Sequence, residues 1–92
     1  MKIENLEEAF LEYKKADFPA EDWQSAALVL KHLAKETKAE QARAIRENGS
    51  WIELGRISAL NRRILKEARK VAASAEDAFG GHMSVTGLFD AV

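Results

Sequence analysis

Apolar residues recur at helical spacing along most of this chain. In the first segment they lie three, four and three residues apart, at Ile3, Leu6, Phe10 and Tyr13. Residues at these spacings share one face of an α-helix. Asn5 can cap the first backbone N–H groups, and Glu8, three residues later, completes a capping box. The pattern predicts a helix over about residues 5–16.

A second amphipathic segment extends from Pro19 to Asn48 and contains no residue that must break a helix. At about 100° per residue, its apolar and small positions share one arc of roughly 120°. They are Trp23, Ala26, Ala27, Leu30, Leu33, Ala34, Thr37, Gln41, Ala44 and Ile45. Pro19 suits the first turn of a helix, so we predict one helix over about residues 19–48. The sequence TKAE, from Thr37 to Glu40, also has the form of a capping box, which leaves a break near Thr37 open.

The sequence NGSWIE, from Asn48 to Glu53, marks a turn at the middle of the chain. Gly49 suits a left-handed helix end because it has no Cβ, and Ser50 with Glu53 forms a capping box for the next helix. The apolar arc that follows contains Leu54, Ile57, Leu60, Ile64, Leu65, Ala68, Val71, Ala72, Ala75 and Phe79. A third helix is therefore expected over about residues 51–79, ended by the two glycines that follow it.

The fold class predicted from these segments is all-α. Two long helices form an antiparallel hairpin, and the short N-terminal helix completes a three-helix or dimeric helical bundle. A single helical domain is expected over residues 1–92. The tail, residues 80–92, could close with a short helix from Ser84 or Thr86, although Gly87 weakens it.

The lengths of the predicted helices favour an assembly. Two helices of about 29 residues are each about 43 Å long, and a helix of about a dozen residues cannot cover both. We therefore expect a homodimer, or another protein partner, on the uncovered apolar seam. The candidate contacts are Leu54, Ile57, Asn61, Ile64, Leu65 and Trp51.

Two features of the seam leave alternatives open. Asn61 interrupts the apolar arc, where it either sets the register and oligomeric state of an assembly or lies at the edge and bonds to a neighbour. Trp51 and Ile52 fall outside the arc. At least one of them is expected to pack across the hairpin turn or to belong to a contact patch.

Composition excludes several classes of protein. The 92-residue chain contains no cysteine, so it forms neither disulfides nor thiolate metal sites. Its longest apolar runs are far shorter than the roughly 20 residues of a membrane span. Its acidic N-terminal segment does not resemble a signal peptide, which begins with a basic and an apolar region. A cytoplasmic protein without membrane contact is expected.

The net charge of −1 conceals an uneven distribution. Residues 1–22 contain three lysines and seven acidic residues, a net charge of −4; residues 23–70 contain eleven Lys and Arg against five Glu, a net charge of +6. Residues 71–92 add three acidic residues, a net charge of −3. The basic middle either attracts an anionic partner or pairs with the acidic ends, and the total near zero favours pairing.

One face of the third helix gathers six cations: Arg56, Arg62, Arg63, Lys66, Arg69 and Lys70. They are the candidate surface for an anionic partner, and a nucleic-acid-binding regulator is the alternative function. A helix-turn-helix is disfavoured although Gln41 and Gly49 have its spacing. Ile45 occupies the position that requires a small residue, and Gly55 the position that requires a branched aliphatic one.

Candidate chemistry is sparse. His32 falls opposite the apolar stripe of the second helix, and His82 has no second ligand at a suitable spacing. A structural zinc site needs four Cys or His ligands, more than the two histidines present. We expect no catalytic residue, no metal site and no cofactor. The expected function is that of a small non-enzymatic interaction or regulatory protein, acting through protein–protein contacts as a homodimer.

Overall fold

The computed structural model describes residues 2–80 and 84–90. In this part of the chain the α-helices are α1 (Ile3–Ala16), α2 (Trp23–Arg46), α3 (Trp51–Phe79) and α4 (Val85–Asp90). A short 3₁₀ turn, Ala20–Asp22, precedes α2. The described residues form no strand, so the predicted all-α class is confirmed.

The two long helices, α2 and α3, pack against each other as the predicted hairpin, and both short helices pack on it. α1 runs parallel to α3, because Glu7 bonds to Arg56 while Lys14, two turns later, pairs with Glu67. α4 contacts α2 and α3 but not α1. The short helices therefore cover different parts of the hairpin.

The core consists of the apolar faces that the periodicity indicates. Its largest fully buried side chains include Leu6 of α1, Leu30 of α2, Ile64 of α3 and Leu88 of α4. Each aliphatic side chain of this size stabilises the fold by about 1.5–3 kcal/mol when it is buried. All four helices thus contribute to one core.

The start of α1 differs from the prediction. The helix begins at Ile3, and the predicted capping box of Asn5 and Glu8 is wrong because both residues lie inside the helix. Lys2 holds the N-cap position without a side-chain hydrogen bond. Ile3 is buried in the core, so the extra turn is stabilised by packing rather than by a cap.

The second helix is shorter than predicted at both ends. The backbone at Pro19 is extended, and the N–H of Asp22 donates to the Pro19 carbonyl at 2.9 Å in the 3₁₀ turn. Regular α-helix therefore begins at Trp23 and ends at Arg46. It continues through Thr37, whose hydroxyl donates to a carbonyl one turn earlier at 2.6 Å. The break that the sequence left open near this residue does not occur.

The turn between α2 and α3 places the left-handed residue one position earlier than predicted. Asn48, not Gly49, has positive φ, at 53°, which Asn tolerates better than most residues. The N–H of Gly49 donates to the Ala44 carbonyl at 2.7 Å, and an added Cβ would lie 3.1 Å from that oxygen. A side chain at position 49 would therefore be crowded against Ala44. The Ser50 hydroxyl accepts from the N–H of Glu53 at 3.1 Å, which confirms the predicted cap of α3.

We expect Gly49→Ala to lower the free energy of unfolding by about 1–3 kcal/mol, because the new methyl group would lie 3.1 Å from the Ala44 oxygen and 3.2 Å from its Cβ and force Ala44 to shift. Gly55→Ala is the matched control, since nothing lies within 4 Å of a Cβ at Gly55. Inside a helix that change should stabilise by about 0.5–1 kcal/mol. Urea unfolding followed by circular dichroism measures both variants, and effects of the same sign would contradict the close approach at Gly49.

Among the described side chains of the predicted apolar stripes, two large ones face solvent. Ile45 is 62% exposed and Leu65 is 43% exposed, because each lies at the edge of its stripe rather than at its centre. The end of α3 follows the prediction, with Gly80 in the left-handed conformation at φ 67°. Within residues 2–80 and 84–90, no helix combines the length and the hydropathy that a membrane span requires.

Candidate functional site

The six predicted cations of α3 divide between two faces of the helix. Three of them are engaged within the fold. Arg56 donates to Glu7 of α1, and the guanidinium of Arg63 lies 5.8 Å from the centre of the Phe10 ring. Lys70 pairs at 3.2 Å with a carboxylate one turn away on α3. The acidic N-terminal segment thus neutralises part of the basic middle.

The other three cations, Arg62, Lys66 and Arg69, are exposed. Among the described residues, no carboxylate pairs with any of them. Their spacings of four and three residues place them along one stripe of α3, turned away from α1. This stripe is the part of the predicted cationic face that is open to a partner.

On the face of the hairpin turned away from α1, half-buried and exposed residues of α2 and α3 flank the line along which the two helices pack. At one end α4 covers it: Leu88 is fully buried, and Lys31 of α2 donates to the Phe89 carbonyl at 3.1 Å. From α4 to the hairpin turn no described segment covers it. We call this part the open groove. It is lined by Gln41 and Ile45 of α2 and by Leu54, Ser58, Asn61 and Leu65 of α3, with Trp51 at its end.

The predicted seam residues occupy three depths. Ile57 and Ile64 are in the core, at 0% and 1% exposure, and are not available to a partner in the folded chain. Leu54 and Asn61 are half-buried on the open-groove side. Leu65 and Trp51 are exposed. The apolar seam expected to lie in water is therefore reduced to the open groove.

Asn61 lies in the middle of the open groove rather than deep in the core. No described residue forms a hydrogen bond with its side-chain amide, and neither polar atom of that amide is fully buried. The amide therefore remains accessible to water. A partner in the groove would meet the NH2 donor group and the carbonyl acceptor of this amide between Leu54 and Leu65.

The end of the groove exposes large apolar side chains. Trp51 is 91% exposed and Ile45 is 62% exposed. Ile52, 77% exposed, lies nearby on the α1 side of the turn. Neither Trp51 nor Ile52 packs across the hairpin turn. Their other expected role, as part of a contact patch, stays a prediction. A concentration of exposed apolar surface at one end is typical of a binding surface.

The rims of the groove include a residue that the sequence did not single out. Lys38 is exposed on α2, on the same side as Ile45. Its position on the helical wheel, at the edge of the apolar stripe of α2, was the signal that could have identified it. No pattern in the sequence predicts that α4 covers only one end of the groove.

A second surface, the charged cleft, lies on the α1 side near the turn and has a volume of about 950 Å³. Arg43 in this cleft donates to the carboxylates of Glu40, Glu47 and Glu53. Glu40 is buried, and Glu53 belongs to the first turn of α3. Arg43 and these three carboxylates are thus paired with one another, and the cluster joins the end of α2 to the start of α3.

The hydrogen bond from Arg43 lowers the pKa of Glu40, and the carboxylates around Arg43 raise the pKa of the guanidinium. A carboxyl group whose pKa is lowered by folding stabilises the native state above its unfolded pKa. That contribution is lost as the pH falls through the folded pKa. Glu40 therefore contributes stability at neutral pH that disappears in acid.

We expect Arg43→Gln to reduce stability at neutral pH, because Glu40 would lose the hydrogen bond that lowers its pKa. For the same reason the variant should lose less stability than the wild type when the pH is lowered. Arg46→Gln is the control, since Arg46 is exposed and pairs with no carboxylate in the described part of the chain. Thermal unfolding at about pH 7 and about pH 4 measures both. Parallel pH profiles for the wild type and Arg43→Gln would contradict the role of this bond.

In residues 2–80 and 84–90, no cluster of three or more His, Cys, Asp or Glu side chains could hold a metal ion. His32 is exposed on α2, and His82 lies outside the described residues.

No protein-family model, no curated protein and no solved structure matches this chain. Relatives therefore supply no function for either surface. The proposed function therefore rests on the chemistry of the two surfaces.

Proposed function

We propose that the protein is a small non-enzymatic interaction or regulatory module that binds another protein through the open groove. Trp51, 91% exposed at the end of this groove, is the observation that carries the proposal. Ile45 and Leu65 expose further apolar surface on the same face, and covering such surface favours association. Tryptophan is enriched among the residues that dominate binding energy at protein interfaces. A cytoplasmic location stays a prediction.

The alternative is a nucleic-acid-binding regulator. It is supported by the open stripe of Arg62, Lys66 and Arg69 and by the exposed Trp51, which could stack on a base. Two observations disfavour it: three of the six predicted cations already interact with residues of the fold, and the apolar side chains of the groove would not bind phosphates. Binding to nucleic acid that weakens steeply with added salt would favour this alternative.

Site-specific photo-crosslinking in the source cell tests the proposed function. A benzophenone amino acid would replace Trp51 or Leu65 in the open groove, and Leu28, 54% exposed on the outer side of α2, as the control. We expect one defined protein adduct from positions 51 and 65 and none from position 28. Adducts to nucleic acid, or protein adducts of equal yield from all three positions, would contradict the proposal.

The homodimer expected from the sequence stays a prediction. Two open grooves placed face to face would bring Lys38, Arg62 and Arg69 of each copy together, and this repulsion disfavours pairing through the grooves. A dimer would therefore use another surface. Light scattering at micromolar concentration tests it: a mass of two chains, each 10.3 kDa, would support the dimer, and a mass of one chain would remove it.

A further inference from the structure

The rims of the open groove carry one sign of charge. Lys38 lies on the α2 rim, Arg62 lies on the α3 rim, and Arg69 lies one turn beyond Leu65, at the α4 end of the groove. All three are exposed, and none pairs with a carboxylate in the described residues. A ligand in the groove would therefore have cations along both of its edges and apolar side chains beneath it.

The acidic residues that neighbour the groove in sequence are turned to the other face. Glu40 and Glu53 both bond to Arg43, in the charged cleft beside α1. Glu36 falls on the same side of α2 as Glu40, since the two are one turn apart. Between Leu65 and the turn, the positive charge of the rims is thus not offset by Glu36, Glu40 or Glu53, and it selects for an anionic ligand.

The fold already contains one helix of the kind that fits such a surface. α1 has 14 residues and buries Ile3, Leu6 and Phe10 against the hairpin while its acidic side reaches Arg56 through Glu7. The open groove extends from Leu65 to Trp51, which corresponds to about 21 Å or about four helical turns. The uncovered face therefore has the length and the charge to hold a second helix of this type.

We infer that the open groove binds an acidic amphipathic helix of a partner protein. The inference rests on the proposed function and specifies the chemistry of the partner. The groove-facing side of that helix is apolar where it covers Leu54 and Leu65 and has a polar residue opposite Asn61, and the carboxylates at its edges face the three rim cations. Helix-in-groove recognition of this kind requires apolar residues at i, i+3 or i+4 and i+7 on the ligand.

Three labelled synthetic peptides of about 16 residues test the inference by fluorescence anisotropy. All have leucines at helical spacing; the remaining positions are mainly Glu in the first, Gln in the second and Lys in the third. We expect the Glu peptide to bind at least about tenfold more tightly than the Gln peptide, and the Lys peptide not to bind. A labelled single-stranded oligonucleotide is measured alongside.

Charge reversal of the rims provides the second arm. In the triple variant Lys38→Glu, Arg62→Glu, Arg69→Glu, the order of the peptides should invert, with the Lys peptide binding most tightly. The matched control reverses the same number of exposed cations outside the groove, in the control variant Lys15→Glu, Lys35→Glu, Arg46→Glu, and should leave the order unchanged. Circular dichroism confirms that each variant is folded, as expected for substitutions at exposed positions.

The outcomes separate this inference from the proposed function. Equal binding of the Glu and Gln peptides, or an unchanged order of the peptides in the triple variant, would overturn the inference that the partner is an acidic helix. If no peptide binds while positions 51 and 65 still crosslink to a protein, the acidic helix is wrong and the proposed function stands. If only the oligonucleotide binds, and the triple variant abolishes its binding, both are overturned in favour of nucleic acid.

Discussion

Ile64→Ala should lower the free energy of unfolding by about 2–5 kcal/mol, whereas Leu65→Ala should change it by less than about 1 kcal/mol. The two residues are neighbours on α3 and belong to the same apolar arc in the sequence. Ile64 is 1% exposed in the core and Leu65 is 43% exposed at the open groove. Truncation of the first leaves a cavity, while truncation of the second removes surface that water already reaches.

The loss at Ile64 is large for a chain of this size, because small domains are stable by only about 5–15 kcal/mol. Urea unfolding followed by circular dichroism measures both variants. Similar losses at the two positions would show that Leu65 is packed, and the groove would then be closed. If Leu65→Ala lowers partner affinity without lowering stability, its exposure serves binding.

Trp51→Ala should weaken binding of the crosslinked partner by about 30-fold or more, which corresponds to about 2 kcal/mol, and leave stability within about 0.5 kcal/mol of wild type. Trp51 is 91% exposed, so its ring contributes little to the fold. In a complex the same ring would lose its contact with water and bury a large apolar area. Isothermal calorimetry measures the affinity.

Leu28→Ala is the control for this prediction, because Leu28 is a large apolar residue, 54% exposed, outside the open groove. Its truncation should leave affinity unchanged. An unchanged affinity in Trp51→Ala would show that the exposed ring takes no part in recognition. A loss of stability in Trp51→Ala would indicate that the ring is packed in solution.

Helical periodicity was sufficient to predict most of the fold. The bounds of α3, residues 51–79, agree with those observed, because the Ser50 cap and Gly80 define both ends chemically. Where local chemistry and packing compete, the prediction was wrong. Asn5 has the form of a cap, yet burial of Ile3 extends α1 beyond it.

The candidate site was only partly predictable. The sequence identified Leu54, Asn61, Leu65 and Trp51, which line the open groove or lie at its end. It could not separate them from Ile57 and Ile64, because depth within an apolar stripe depends on where α1 and α4 lie. Those positions are set by tertiary packing, which the periodicity of a single segment does not report. For the same reason the division of the six cations between two faces was not foreseen.

Methyl NMR spectra of the protein, free and with its crosslinked partner, test most directly the claim that the open groove is the binding surface. The methyl groups of Ile45, Leu54 and Leu65 report on the groove, and those of Leu11 and Leu28, both more than half exposed, report on other faces. We expect partner binding to shift the groove methyl groups and to leave the other two unchanged. Shifts confined to Leu11 and Leu28 would contradict the account.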